Sequence, residues 1–101
     1  MAGPEATIEQ ACRDRAALEG ALLLKVKFPG LNGCPDRLLF VPSYPRSDAP
    51  RAVFMEFKRA GEKPTKAQAL MHEFLRRASL VVWVIDSVLD FEERLLELLD
   101  A

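Results

Sequence analysis

Three charged residues, Asp36, Glu56 and Lys58, have the types and the spacing of a hydrolytic site. Each adjoins or belongs to an apolar run that reads as a short strand, residues 37–41 after Asp36 and residues 53–58 around the other two. Successive side chains of a strand point to opposite faces of a sheet, so Glu56 and Lys58 share one face. If the two strands form a hairpin, Asp36 comes close to that pair.

Two carboxylates that converge on one point repel each other unless a cation lies between them. Oxygen ligands in a partly open site suit Mg²⁺ or Mn²⁺, and the corresponding chemistry is phosphodiester hydrolysis. The cation would offset charge that develops on the phosphate, while Lys58 could orient a water molecule or pair with the phosphate. The alternative is that Glu56 and Lys58 form a solvated ion pair on an ordinary exposed strand.

Three short motifs resemble, in order and spacing, the VRR-NUC family of the PD-(D/E)XK nuclease superfamily. They read Gly-Cys-Pro-Asp at 33–36, Glu-Phe-Lys-Arg at 56–59 and Gly-Glu-Lys-Pro-Thr-Lys-Ala-Gln at 61–68. The resemblance extends from about residue 9 to about residue 87. It implies one VRR-NUC domain over residues 1–101, with an α/β core like that of restriction endonucleases, in which helices flank a mixed central sheet.

The resemblance also assigns roles to individual residues. It implies that Asp36 and Glu56 bind the metal ion together with the backbone carbonyl of Phe57, and that Lys58 is the catalytic lysine. Accessory roles in the active site follow for two more residues, Gln68 and Glu9. Glu5, one helical turn before Glu9, is an alternative to it.

The resemblance further implies a Mg²⁺- or Mn²⁺-dependent DNA endonuclease that selects branched DNA, as a dimeric Holliday-junction resolvase. A flap-type or nonspecific nuclease is one alternative, and a non-cleaving DNA-binding module with the same fold is another. The intact Asp36, Glu56 and Lys58 argue against the non-cleaving module.

Length and composition predict one soluble globular domain. The chain has 101 residues, of which 50% are hydrophobic and 29% are charged. No apolar run is long enough to cross a bilayer, and residues 1–5 do not begin a secretion signal. We therefore expect a cytoplasmic protein with no membrane partner, in a bacterium or in the host cell of a phage. Cys12 and Cys34 are expected to be small apolar residues rather than a disulfide.

The charge is divided unevenly along the chain. The net charge is −1, but residues 1–77 hold 13 basic and nine acidic residues, whereas residues 78–101 hold one basic and six acidic residues. A basic first part and an acidic last part fit a protein that turns one side to DNA. Six basic residues near the proposed site are candidates for phosphate contacts: Lys25, Lys27, Arg37, Arg59, Lys63 and Lys66. For each of them, a solubilising role is the alternative.

Hydrophobic periodicity and turn residues predict the order helix, three strands, helix, strand, helix. The predicted elements are a helix over 4–18, strands over 22–28, 37–41 and 53–58, a helix from the Thr65 cap to Ala78, a strand over 80–85, and a helix after a Ser87 cap. The proline-rich gap 42–50 is expected to be an exposed hairpin loop, in which Tyr44 and Arg46 could touch DNA.

The second helix carries two predictions that the structure can test. Thr65 and Gln68 match a capping box, which competes with an active-site role for Gln68. An apolar stripe, expected to face the core, consists of Ala67, Leu70, Met71, Phe74, Leu75 and Ala78. His72 lies off this stripe and is expected at the surface. The β-branched run 80–85 predicts a strand inside the sheet, parallel to a neighbour across the helix.

The first and last helices are candidate surfaces for a homodimer. The first is rich in Ala and the last is rich in Leu, so they could present more apolar area than one small sheet covers. The alternative is that the two helices cover the two faces of one subunit's sheet.

Overall fold

A four-stranded mixed sheet with three helices forms the structure, a computed structural model that describes residues 3–42 and 52–100. The elements are α1 (Pro4–Leu18), β1 (Leu22–Lys25), β2 (Arg37–Phe40), β3 (Ala52–Phe57), α2 (Lys66–Arg77), β4 (Val82–Ile85) and α3 (Val88–Asp100). This order confirms the predicted one, and the α/β class with it. Tyr44 and Arg46 of the predicted loop lie outside the described residues.

The strands lie side by side in the order β1-β2-β3-β4. β1 pairs with β2, and β2 with β3, in antiparallel register, whereas β3 and β4 are parallel. The parallel pairing confirms the crossover predicted through α2. The expectation of an interior strand at 80–85 is wrong, because within residues 3–42 and 52–100 β4 is at the edge of the sheet. Its β-branched sequence reflects helices on both of its faces rather than strands on both sides.

One face of the sheet carries the core. Leu23, Leu39 and Val53 are paired neighbours across β1, β2 and β3 and are 2%, 0% and 0% exposed. α1 and α3 pack against this face and against each other, with Cys12 and Phe91 in the same cluster. The first and last helices therefore cover a single face together. Both cysteines are free thiols, as expected.

The opposite face is covered only in part. α2 packs over β4 on this side, while the β1 and β2 residues Leu22 and Phe40 are 54% and 41% exposed. The apolar stripe of α2 does not face the core as predicted, because Leu70 and Phe74 are 59% and 67% exposed. α2 instead buries His72, at 1% exposure. In the part of the chain that the structure describes, no helix has both the length and the apolar character to cross a membrane.

Candidate active site

Glu56 and Lys58 lie where β3 ends beside β4. Alternation along β3 directs Phe57 into the core and the two charged side chains to the opposite face, as predicted. The backbone N–H of Lys58 donates to the carbonyl of Ile85 at 2.9 Å, so the parallel ladder continues past the last residue of β3. Glu56 and Lys58 are only 7% and 8% exposed. The alternative of a solvated surface ion pair is therefore wrong.

Asp36 enters the site from the start of β2. Its carbonyl accepts a hydrogen bond from Val26 N–H at 3.0 Å, which fixes the backbone just before the strand begins. A cleft of about 390 Å³ collects the residues that the sequence placed in one site. It is lined by Glu5, Ala6, Glu9, Asp36, Arg37, Glu56, Phe57, Lys58 and Gln68. The structure thus brings together residues that lie up to 63 positions apart in the chain.

The surroundings of Glu56 disfavour the ionised form of its carboxyl group. Burial, and then the negative charge of Asp36, raise its pKa to about 7, although the nearby Lys58 and Arg37 act in the opposite direction. Its Oε1 atom is buried without a hydrogen-bond partner among the described residues. A cation between Glu56 and Asp36 would offset the repulsion between the two carboxylates.

Gln68 forms the predicted capping box and also contacts Glu56, whereas its active-site role stays a prediction. Its Oε1 accepts from the N–H of Thr65 at 2.9 Å, and Thr65 Oγ1 accepts from the N–H of Gln68 at 3.2 Å, which completes the capping box. Its Nε2 donates to Oε2 of Glu56 at 3.3 Å. The amide therefore connects the first turn of α2 to the carboxylate on β3.

His72 was expected at the surface, and that prediction is wrong. Its Nε2 lies 3.5 Å from Oε1 of Glu56, and its side chain is 1% exposed. Burial lowers the pKa of His72, and the positive charges of Arg76 and Lys58 lower it further, so the surroundings favour the neutral imidazole. The signal in the sequence was its position four residues after Gln68, since residues i and i+4 share one face of a helix.

Glu9 reaches the cleft from α1, but two arginines hold it. Arg37 donates to both carboxylate oxygens of Glu9, at 2.9 and 2.7 Å, and Arg13 donates to Oε2 at 2.8 Å. Partial burial alone would raise the pKa of Glu9, but these hydrogen bonds outweigh it and hold the pKa below its usual value. Arg37 also lies 3.0 Å from Oδ2 of Asp36, so its guanidinium links two acidic residues of the cleft.

The predicted phosphate contacts fall into two groups. Lys25, Lys27, Arg59, Lys63 and Lys66 are all exposed. The side chain of Arg37 is 12% exposed and is engaged with Glu9 and Asp36. We therefore infer that Arg37 mainly orients the two acidic residues of the cleft. Its contact with phosphate stays a prediction.

Gly33 fixes the distance between the loop before Asp36 and the first turn of α2. Its φ is 83°, and a Cβ placed there would lie 2.5 Å from the carbonyl oxygen of Ala67. We expect Gly33→Ala to destabilise the fold by both backbone strain and this collision. Gly30→Ala is the matched control, because Gly30 has a φ of 82° and open space around it.

In chemical denaturation, Gly30→Ala should cost about 1 kcal/mol from the left-handed conformation alone. Gly33→Ala should cost at least about 1 kcal/mol more, because the backbone at Ala67 must shift. Equal losses in the two variants would show that the close approach in the structure is not rigid.

The donor set fits a hard divalent cation. Asp36 and Glu56 offer carboxylate oxygens, and the raised pKa of Glu56 marks a place where positive charge is favoured. Among residues 3–42 and 52–100, no group of three or more His, Cys, Asp and Glu is arranged to hold a metal ion. A site with two carboxylates and a backbone carbonyl is consistent with both observations.

Comparison with known proteins gives the family. No protein-family model matches the chain. A curated relative, "Putative nuclease p44" of Acyrthosiphon pisum secondary endosymbiont phage 1, is 34% identical over 83 residues, which cover 82% of this chain and 83% of the relative. A solved structure titled "VRR_NUC domain" superimposes with a TM-score of 0.75 at 27% identity, over 91% of this chain and 94% of the other. With the fold and the cleft in place, the chain belongs to the VRR-NUC family of the PD-(D/E)XK nuclease superfamily.

Proposed function

We propose that this protein is a Mg²⁺- or Mn²⁺-dependent DNA endonuclease, one VRR-NUC domain that cuts branched DNA as a dimeric Holliday-junction resolvase. The observation that carries the nuclease proposal is the cleft in which Asp36, Glu56 and Lys58 meet. The branched substrate and the dimer are supported by the resemblance of the motifs to those of the family. The phage relative is named as a nuclease, which agrees with the reaction class.

Five residues of the cleft have defined tasks in this proposal. Asp36, Glu56 and the carbonyl of Phe57 would hold the cation, which when bound would withdraw charge from the scissile phosphate. Lys58, held in a water-poor position, would orient the attacking water and stabilise negative charge on the phosphate oxygens in the transition state. Gln68 holds Oε2 of Glu56, and so limits the rotation of that carboxylate.

A nuclease assay tests the reaction class and the substrate together. The panel contains a four-way junction, a flap, a linear duplex and a single strand, each with Mg²⁺, with Mn²⁺ and with a chelator. We expect paired, symmetric cuts in the junction that require a divalent cation. Single cuts confined to flaps would favour the flap nuclease, and binding without cleavage under all conditions would favour the non-cleaving module.

DNA affinity should depend on the exposed lysines beside the cleft. We expect Lys63→Glu and Lys66→Glu to weaken binding to every DNA in the panel by similar factors. Each should also reduce the slope of log affinity against log salt by about 1 or more, because a phosphate contact is lost and the charge is reversed. Fluorescence anisotropy over a salt series measures both quantities.

Arg77→Glu is the control for these two variants. Arg77 is exposed, as Lys66 is, but it occupies the other end of α2, about 16 Å away at 1.5 Å per residue. It should leave the salt slope unchanged. An equal effect of all three reversals would mean that net charge, rather than this surface, governs binding.

A four-way junction is resolved by opposed cuts, and a two-fold dimer supplies two sites related by the symmetry of the substrate. Because α1 and α3 pack together on one face, we assign the dimer contact to the open side of the sheet. Exposed apolar side chains lie on the sheet, in the loop after β1 and on α2, where a second copy could cover them. They are Leu22, Phe28, Leu31, Phe40, Leu70 and Phe74.

Two exposed positions on different sides of the molecule test this assignment. Phe74→Glu on α2 should reduce the mass in light scattering from two chains to one, because it places a charge in the contact. Leu18→Glu at the end of α1, where the side chain is 81% exposed, should leave the mass at two chains. A single-chain mass for the unmodified protein at micromolar concentration would contradict the dimer and leave the nuclease proposal standing.

A further inference from the structure

α2 directs two polar side chains at the same carboxylate. Gln68 and His72 are four residues apart, on one face of the helix, and both lie beside Glu56. Gln68 Nε2 is 3.3 Å from Oε2, and His72 Nε2 is 3.5 Å from Oε1. Within the described residues, neither His72 Nε2 nor Oε1 of Glu56 has a hydrogen-bond partner by ordinary criteria. Each is thus the nearest candidate partner for the other.

We propose that His72 is a positioning residue for the metal-binding carboxylate: its Nε2–H donates to Oε1 of Glu56 while Gln68 donates to Oε2. The inference rests on the proposed function, because it takes Glu56 as a ligand of the cation. With both oxygens held from α2, the carboxylate keeps one orientation and offers its remaining lone pairs to the cleft. Hydrogen-bonded partners behind a ligand commonly set metal affinity in this way.

A hydrogen bond explains the placement of His72 better than apolar packing or direct metal ligation. An imidazole buried to 1% exposure without a partner would destabilise the helix, and Met71 and Leu75 beside it show that apolar residues are accommodated here. As a ligand, His72 would need further donors around it. The described residues offer no group of three His, Cys, Asp or Glu for such a site.

Substitutions at His72 distinguish the effect of its hydrogen-bond donor from the effect of its side-chain volume. His72→Gln places an amide nitrogen near the position of Nε2, His72→Asn places one nearer the position of Nδ1, and His72→Leu removes the donor. By calorimetry with Mn²⁺ on folded protein, the Leu and Asn variants should bind between about tenfold and a hundredfold more weakly. The Gln variant should stay within about threefold of the unmodified protein, because its donor still reaches Glu56.

Met71→Leu is the matched control on α2, since it changes packing next to His72 with little change in volume. It should bind Mn²⁺ like the unmodified protein. If His72→Leu does not fold, the comparison of His72→Gln with His72→Asn tests the hydrogen bond to Glu56. Both variants carry the same amide group, but their side chains differ in length. Equal affinity in those two variants, or unchanged affinity in His72→Leu, would overturn the proposal.

His72 is the only histidine in the chain, so its ring nitrogens can be followed by NMR without assignment. Titration with Mg²⁺ should move the ¹⁵N resonance of Nε2 in the unmodified protein and leave it in place in Glu56→Gln. If Mg²⁺ binds and the Nε2 resonance does not move, the role proposed for His72 is overturned, and the metal-dependent function still stands. Absence of any Mg²⁺ or Mn²⁺ binding in the unmodified protein would instead overturn the metal-dependent function on which it rests.

Discussion

Lys58→Met is expected to slow DNA cleavage by at least about a hundredfold while Mn²⁺ binding stays close to normal. The side chain is 8% exposed, and methionine preserves most of its aliphatic volume, so the fold should be retained. What is lost is the positive charge that would stabilise the transition state and orient water. Single-turnover cleavage at saturating enzyme measures this loss separately from DNA binding.

Glu56→Gln and Asp36→Asn should remove cleavage for a different reason. Each keeps the shape of the side chain but deletes a negative ligand, so calorimetry should show weak or no Mn²⁺ binding. Arg77→Met is the control, because it also deletes one charge, from an exposed position at the far end of α2. Normal cleavage by the Lys58, Glu56 and Asp36 variants would move the active site elsewhere.

The second large effect is on the stability of the metal-free protein as a function of pH. Burial and the charge of Asp36 raise the pKa of Glu56 to about 7 in the folded protein, against 4.5 for an unperturbed glutamate. Below pH 4.5 the carboxyl group is protonated in both states and adds nothing. Between pH 4.5 and about 7 the unfolded chain releases this proton first, so the free energy of unfolding falls as pH rises.

Above pH 7 the loss is complete and amounts to about 3 kcal/mol, at about 1.4 kcal/mol per pH unit. Urea denaturation at pH 5 and pH 8 should detect most of this loss, as the difference between the unmodified protein and Glu56→Gln, which cannot ionise here. His72 has a lowered pKa and therefore destabilises the fold on the acidic side, but both proteins contain it. Glu73→Gln, at an exposed carboxylate on α2, should keep the unmodified pH dependence.

The same proton links stability to the metal ion. Mn²⁺ must displace it from Glu56, so Mn²⁺ affinity should rise with pH up to about pH 7 and then level off. Saturating Mn²⁺ should also abolish the pH-dependent loss of stability. A flat difference between the two proteins from pH 5 to pH 8 would show that Glu56 is not buried beside Asp36.

Local patterns in the sequence were sufficient to predict much of this site. Alternation along one strand placed Glu56 and Lys58 on the same side, and the spacing of Thr65 and Gln68 predicted the cap that the structure contains. These predictions succeeded because each depends on neighbours within one element. The element order followed from the same local signals.

The features that could not be predicted depend on contacts between elements. Hydrophobic periodicity assigned the inward face of α2 to its apolar stripe, but the sheet below that helix carries Glu56, so a polar face with His72 turns inward. The double hydrogen bond from Arg37 to Glu9 joins residues 28 positions apart, and no sequence period encodes it. The edge position of β4 was missed because helices on both faces produce the same β-branched sequence as an interior strand.

The weak apolar anchoring of α2 has a consequence for the order in which the molecule opens. Its only fully buried side chain is a histidine, and Leu70 and Phe74 contribute little to holding it on the sheet of the single subunit. A helix with one fully buried side chain, and that one polar, separates from the fold at a lower free energy than the α1–α3 layer does. Amide protons in α2 should therefore exchange with solvent before those of the core, and a ligand bound at Glu56 should slow them. The helix that holds the carboxylate is thus also the part of the molecule whose ordering a bound cation would increase most.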